Sequence, residues 1–149
     1  MNEHTTWMLK SDRSAEVVTS ALVDFGPNRV AIWPETSHPR VYALHAVGPT
    51  WAEVTEGIPF SWSRERYDWS TPGRVVLDQL DSNVALPGGR IAYAITDSTG
   101  GCTVACDRRR RFRRTPRGLL AGTIMRLVGA RILRWQFEKS LRRLPAVQP

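Results

Sequence analysis

The stretch from Thr115 to Leu144 constrains the fold of this 149-residue chain more than any other. Pro116 suits a first helical turn, where its missing N–H costs nothing, and Thr115 ahead of it can cap. No further proline appears until Pro145. Leu120, Ile124, Leu127, Val128, Ile132 and Trp135 recur at three- and four-residue steps, which predicts one apolar stripe on a single long helix. Gly118, Gly122 and Gly129 weaken the intrinsic helix propensity, so packing has to hold this element. At ~1.5 Å per residue, about 30 residues span roughly 45 Å. A helix of that length needs a broad partner surface.

The residues before it read as a sheet. His4 to Lys10 predicts a first strand. Ser14 then caps a short helix to about Asp24, with Glu16 in its first turn. Pro27 opens a second short helix, Asn28 to Trp33, which Pro34 ends. From Val41 the pattern changes to strands: Val41–Val47, Trp51–Glu56, Phe60–Trp69, Arg74–Asp81, Arg90–Thr96 and Cys102 to about Phe112. Short connections rich in Gly and Pro separate them, which implies an antiparallel meander with an edge open to the first strand. Strands and helices kept in separate runs predict an α+β chain forming one domain over residues 1–149, a twisted sheet wrapped around the long helix.

Charge and cysteine usage narrow the function classes. Residues 1–106 hold 12 acids and 8 bases, whereas residues 107–149 hold 13 bases and 2 acids. Aromatics in the basic segment are only Phe112, Trp135 and Phe137, too scattered for a stacking platform, so nucleic-acid binding is disfavoured. No uncharged apolar run of ~18 residues exists, and no basic region followed by an apolar core opens the sequence, so a cytoplasmic setting is expected. Cys102 and Cys106 would lie ~13 Å apart on one face of a strand, too far for a disulfide and too few for zinc. They read as small buried hydrophobes. Nothing matches a hydrolase triad, a phosphate-binding glycine loop or a metal-ligand cluster, so neither metal nor cofactor is expected.

Local segments carry a resemblance. Ala15-Glu16-Val17-Val18 with Asp24-Phe25 and Ile32-Trp33-Pro34, then Val54-Thr55-Glu56-Gly57, Glu65-Arg66-Tyr67-Asp68-Trp69 and Asp81-Ser82-Asn83, resemble the bacterial polyketide cyclase/dehydrase branch of the SRPBCC, or START-like, superfamily. The resemblance spans nearly the whole chain. It implies a helix-grip fold: a seven-stranded curved antiparallel sheet around a long C-terminal helix, with two short helices after the first strand. It also implies an apolar cavity between sheet and helix that takes a polyketide-, lipid- or fatty-acid-like molecule. Some relatives of this kind cyclise or dehydrate their ligand without a cofactor; others only bind it.

Strand alternation selects a cavity lining. Tyr93 and Ile95 share a face with Ile91, and Gln79 shares one with Val75 and Leu77. On the fourth strand the Glu65, Tyr67, Trp69 face is expected inward because it ends in two aromatics. Glu65 and Tyr67 are then candidates for acid–base work, since burial raises a carboxyl pKa. Alternatively, Tyr67 is a core residue and Glu65 pairs with an arginine. Leu127 and Arg131 are expected to bring the long helix to the ligand, with Arg131 either anchoring an anion or reaching water. In a meander alternate turns share an end, so the Gly57–Phe60 and Ser82–Gly89 loops meet where Arg108–Arg114 arrives. Ile58, Phe60, Val84 and Leu86 there form a candidate gate for an amphipathic, anionic ligand or a contact with an anionic membrane. The alternative is that these loops pack on each other.

Overall fold

A computed structural model describes residues 1–144. Its elements are β1 (Asn2–Ser11), α1 (Ala15–Leu22), α2 (Arg29–Ile32), β2 (Ala43–Val47), β3 (Trp51–Ile58), β4 (Ser61–Asp68), β5 (Arg74–Ser82), β6 (Arg90–Ser98), β7 (Gly101–Arg111) and α3 (Pro116–Leu141). The seven strands form one antiparallel sheet in the order β1-β7-β6-β5-β4-β3-β2. Consecutive strands pair through short turns, and β1 closes onto the free edge of β7. Bulges at His45 in β2 and at Leu80 in β5, opposite Arg64 and Glu65, bend the strands that carry them.

Period-two alternation sets which side chains face the core. Trp7 and Leu9 on β1, Ala52 and Val54 on β3, Val75 and Leu77 on β5, and Cys102 and Val104 on β7 are all buried on the concave face. Both cysteines are free and buried. Ser14 caps α1 by accepting from Val17 N at 3.2 Å. Thr115 caps α3 by accepting from Gly118 N at 3.1 Å. The β3–β4 and β5–β6 loops do share an end, because Asn83 accepts from Trp62 N at 2.8 Å and donates to Phe60 O at 3.0 Å.

The long helix exists, but it packs through a different face from the one expected. Leu127 is 77% exposed, and Leu120, Ile124, Val128 and Trp135 are exposed too; only Ile132 of the predicted stripe is partly buried. The packed face of the first half is made of small residues, Gly118, Ala121, Gly122 and Gly129, with Met125 among them. A Cβ on Gly118 would stand 2.3 Å from Arg113 O, and one on Gly122 would stand 3.1 Å from the Phe112 ring. The glycines therefore let the helix axis approach β1 and Phe112 closely. In the second half Leu133, Phe137, Ser140 and Leu141 take over, with Phe137 centred 5.0 Å from Trp7 and 5.1 Å from Trp33. The helix stops at Leu141 rather than Leu144, and Arg13 donates to the carbonyls of Arg142 and Leu144 beyond it. Among the described residues no helix is long and apolar enough to cross a membrane.

Candidate functional site

Between the concave sheet and α3 lies a cavity of about 340 Å³. Its body is aromatic and aliphatic, with Trp7, Trp33, Leu77, Ile91, Tyr93 and Phe137 on the walls. Ile58 and Phe60 from the β3–β4 turn and Ile124 from α3 form a half-exposed mouth. Charged side chains enter the lining at Glu35, which pairs with Arg143 and Lys139, and in two clusters.

The first is a buried cluster built by α2, β3 and β4. Arg29 stands on the short α2, and alternation turns Glu56 and Tyr67 inward from paired strands. The Arg29 guanidinium donates to Glu56 Oε1 at 2.9 Å, to Leu22 O at 2.5 Å and to the Tyr67 hydroxyl at 2.8 Å. Tyr67 in turn donates its proton to Glu56 Oε2 at 3.0 Å. Three rings, Phe25, Tyr67 and Trp33, surround the guanidinium carbon at 4.8, 5.3 and 5.8 Å. Burial alone would lower the Arg29 pKa, but Glu56 and Tyr67 outweigh it and raise it. Burial, reinforced by Glu56, holds the Tyr67 phenol well above its ordinary pKa. Its hydroxyl thus accepts from Arg29 and donates to Glu56 within the cluster while its ring lines the cavity.

The second lies toward the mouth, where β7 points Arg108 and Arg110 inward. Arg110 pairs with Glu65 and donates to Ser63 Oγ at 2.6 Å. Arg108 is less well matched: its Nη1 is 3.6 Å from Glu3 Oε1 and 3.1 Å from Met125 Sδ. Among the described residues the Nε atoms of both arginines and Glu3 Oε2 meet no hydrogen-bond partner. Burial, with Arg110 nearby, lowers the Arg108 pKa to about 10. Burial pushes the Cys106 thiol up to about 12 and the Tyr93 phenol well above its usual range, so both stay protonated. Among the described residues no group of three His, Cys, Asp or Glu side chains could hold a metal ion.

No family model matches the chain, and no curated protein matches it in sequence. Solved structures do match. The Zhui aromatase/cyclase from Streptomyces sp. R1128 superposes with a TM-score of 0.77 at 12% identity, over 96% of this chain and 93% of that one. A START superfamily protein from Mycobacterium smegmatis gives 0.70 at 12% identity, over 94% and 97%. The chain has the helix-grip fold. Norcoclaurine synthase from Thalictrum flavum, solved with dopamine and hydroxybenzaldehyde, shares that fold at a TM-score of 0.66 and 8% identity, over 96% and 87%.

The helix-grip frame sorts the residues singled out from sequence. Tyr67, Glu65 and Tyr93 line the cavity, as do Ile58 and Phe60 at its mouth. Tyr67 and Glu65 share a face of β4 but no hydrogen bond, since Glu56 and Arg110 respectively claim them. Trp69 packs on Phe25, 5.9 Å between centroids, and lies off the lining. Ile95 is buried in the core beyond the cavity, where α1 covers β6. Gln79 is buried too, but its amide turns to the β5–β6 loop and donates to Leu86 O at 3.3 Å. Leu127 and Arg131 point to solvent because α3 packs through its glycine face. Val84 is no gate: with Ala85, Phe112 and Ala121 it forms a second small core. Leu86 lies outside the cavity lining as well.

Sequence reasoning passed over Arg29, Glu56, Arg108 and Arg110. A signal was present for three of them. Glu56 has the parity of Ala52 and Val54, and Arg108 and Arg110 have the parity of Cys102, Val104 and Cys106. Treating 108–114 as one basic run hid the alternation that sends 108 and 110 inward and leaves 109 and 111 exposed.

Proposed function

We propose that the chain is a single ligand-binding domain whose cavity takes up an amphipathic small molecule with an aromatic or otherwise flat apolar body. The observation that carries this reading is the two-part lining: an aromatic body, and a mouth-side end carrying Arg108, Arg110, Ser63 and Glu65. The volume falls within the range of small-molecule pockets, about 300–1,000 Å³. A hydrophobic body suits Trp7, Trp33, Tyr93 and Phe137, while a polar end, polyketide- or fatty-acid-like, suits the incompletely matched Arg108. The likeness in fold to an aromatase/cyclase and to a synthase solved with two aromatic ligands supports an aromatic occupant.

Cofactor-independent cyclisation or dehydration is the alternative. Binding is favoured over chemistry because each candidate proton carrier is closed into an internal pair, Tyr67 with Glu56 and Glu65 with Arg110. A cyclase of this fold would then work by folding a reactive chain against the walls rather than by proton transfer.

The test is fluorescence titration with the neutral probe N-phenyl-1-naphthylamine, alongside native mass spectrometry of co-purifying ligand. One probe per chain should bind, and Leu133→Trp, which fills the cavity from α3, should abolish binding while the protein stays folded. Probe binding that survives Leu133→Trp would place the apolar site elsewhere and sink the proposal.

A further inference from the structure

The outward face of α3 is unlike the surface of an ordinary packed helix. Leu120, Ile124, Leu127, Val128 and Trp135 form an exposed apolar ridge, roughly 22 Å long at ~1.5 Å per residue. Arg117, Arg131 and Arg134 punctuate it and are exposed as well. From Arg108 to Phe137 the chain carries ten arginines and no acid. The ridge is continuous with the cavity mouth. Ile124 belongs to both, and Arg117 sits over the Phe60 ring at 5.4 Å, tying the first turn of α3 to the mouth.

We propose that this ridge rests on an anionic lipid bilayer and turns the cavity mouth toward it. The inference rests on the small-molecule reading for what passes through the mouth, but not for the docking itself. Charge complementarity selects the occupant. Pairing the ridge with a second copy would bring Arg117 and Arg131 of both chains together with no acid in the segment to relieve them. Phosphates alone, as in a nucleic acid, would leave the Leu and Val side chains unmatched. A bilayer surface supplies both terms, because anionic headgroups meet the guanidinium groups while the apolar side chains enter the headgroup–acyl boundary. Arginine stems can lie along the ridge with their heads in the headgroup layer. Leu127 is the most exposed residue of the ridge, at 77%, so it can enter a lipid surface without a complementary groove. An acidic protein partner would need one.

The experiment is co-sedimentation of the full chain with phosphatidylcholine vesicles, with and without phosphatidylserine. Binding is expected only with phosphatidylserine, falling as salt rises. Leu127→Glu should weaken it by about ten-fold or more, since Leu burial is replaced by repulsion. The same variant should keep its melting temperature and its N-phenyl-1-naphthylamine binding, because Leu127 lies off the cavity. Three outcomes overturn the proposal: no vesicle binding, binding that Leu127→Glu leaves unchanged, or self-association in solution that Leu127→Glu abolishes. Vesicle binding by a chain that takes up no cavity probe would uphold the docking and reject the small-molecule reading instead.

Discussion

Arg29 Nη2 lies 2.7 Å from Glu56 Oε1, with the two side chains only 2% and 10% exposed. Neither group has bulk water to fall back on, so each depends on the other. Removing one partner of such a pair costs about 3–5 kcal/mol, because the survivor is left buried and uncompensated. Arg29→Met and Glu56→Leu should each destabilise on that scale. The double variant should recover much of the loss. Tyr67→Phe, which removes hydrogen bonds but no charge, should cost less, about 1–2 kcal/mol. Urea denaturation of the parent and the four variants measures this, and strictly additive losses would show that Arg29 and Glu56 do not act as a unit.

The packing of α3 sets up a reversal of the usual ranking. Gly118→Ala should destabilise by about 1–3 kcal/mol through overpacking against the Arg113 carbonyl, although alanine gains about 1 kcal/mol in helix propensity. Leu127→Ala should stay within about 0.5 kcal/mol of the parent, as for any exposed position. Thermal melts of both variants decide it. A Leu127→Ala loss of about 2–5 kcal/mol would mean the leucine is core after all.

That reversal marks where the sequence was legible and where it was not. Strand positions were readable because alternation and turn chemistry are local: Ile91, Tyr93 and Leu77 face inward as their parity requires, and β3 to β7 follow the predicted order. Which face of a helix packs is a tertiary matter. Leu120, Ile124 and Leu127 looked like core, yet close approach to β1 and Phe112 favours side chains with no bulk, so Gly118, Gly122 and Gly129 took the interface. The cavity's ion pairs were hidden for a related reason. Arg110 belongs to Glu65 only once β7 curls toward β4 across the sheet, a proximity that no spacing in the chain records.

Gln79 offers a separate check on the cavity's boundary. Its side chain is nearly fully buried, and a Cβ on Gly89 would stand 2.7 Å from its Oε1, so the amide fills the angle of the β5–β6 loop. Gln79→Leu should lower stability by about 1–2 kcal/mol, by removing the bond to Leu86 O and leaving that carbonyl unpaired. Cavity-probe affinity should not change. An altered affinity at constant melting temperature would return Gln79 to the lining.

Glu35 fastens the segment after α2 to the end of α3, and its contribution should depend on pH. Its carboxylate accepts from Arg143 at 2.7 and 3.0 Å and faces Lys139 at 3.2 Å. The hydrogen bonds from Arg143, outweighing partial burial, lower its pKa to about 2. An unfolded-state glutamate titrates near ~4.3. The folded value is the lower one, so the stabilisation is complete above the unfolded pKa and is lost as pH falls through the interval down to about 2. Glu35→Gln should therefore cost about 0.5–1 kcal/mol at neutral pH, the scale of a partly exposed pair. Its denaturation midpoint should converge on the parent's as the pH approaches the bottom of that window. Urea titrations of both proteins across the acid range measure the gap, and a gap that stays constant would show that the ion pair contributes nothing.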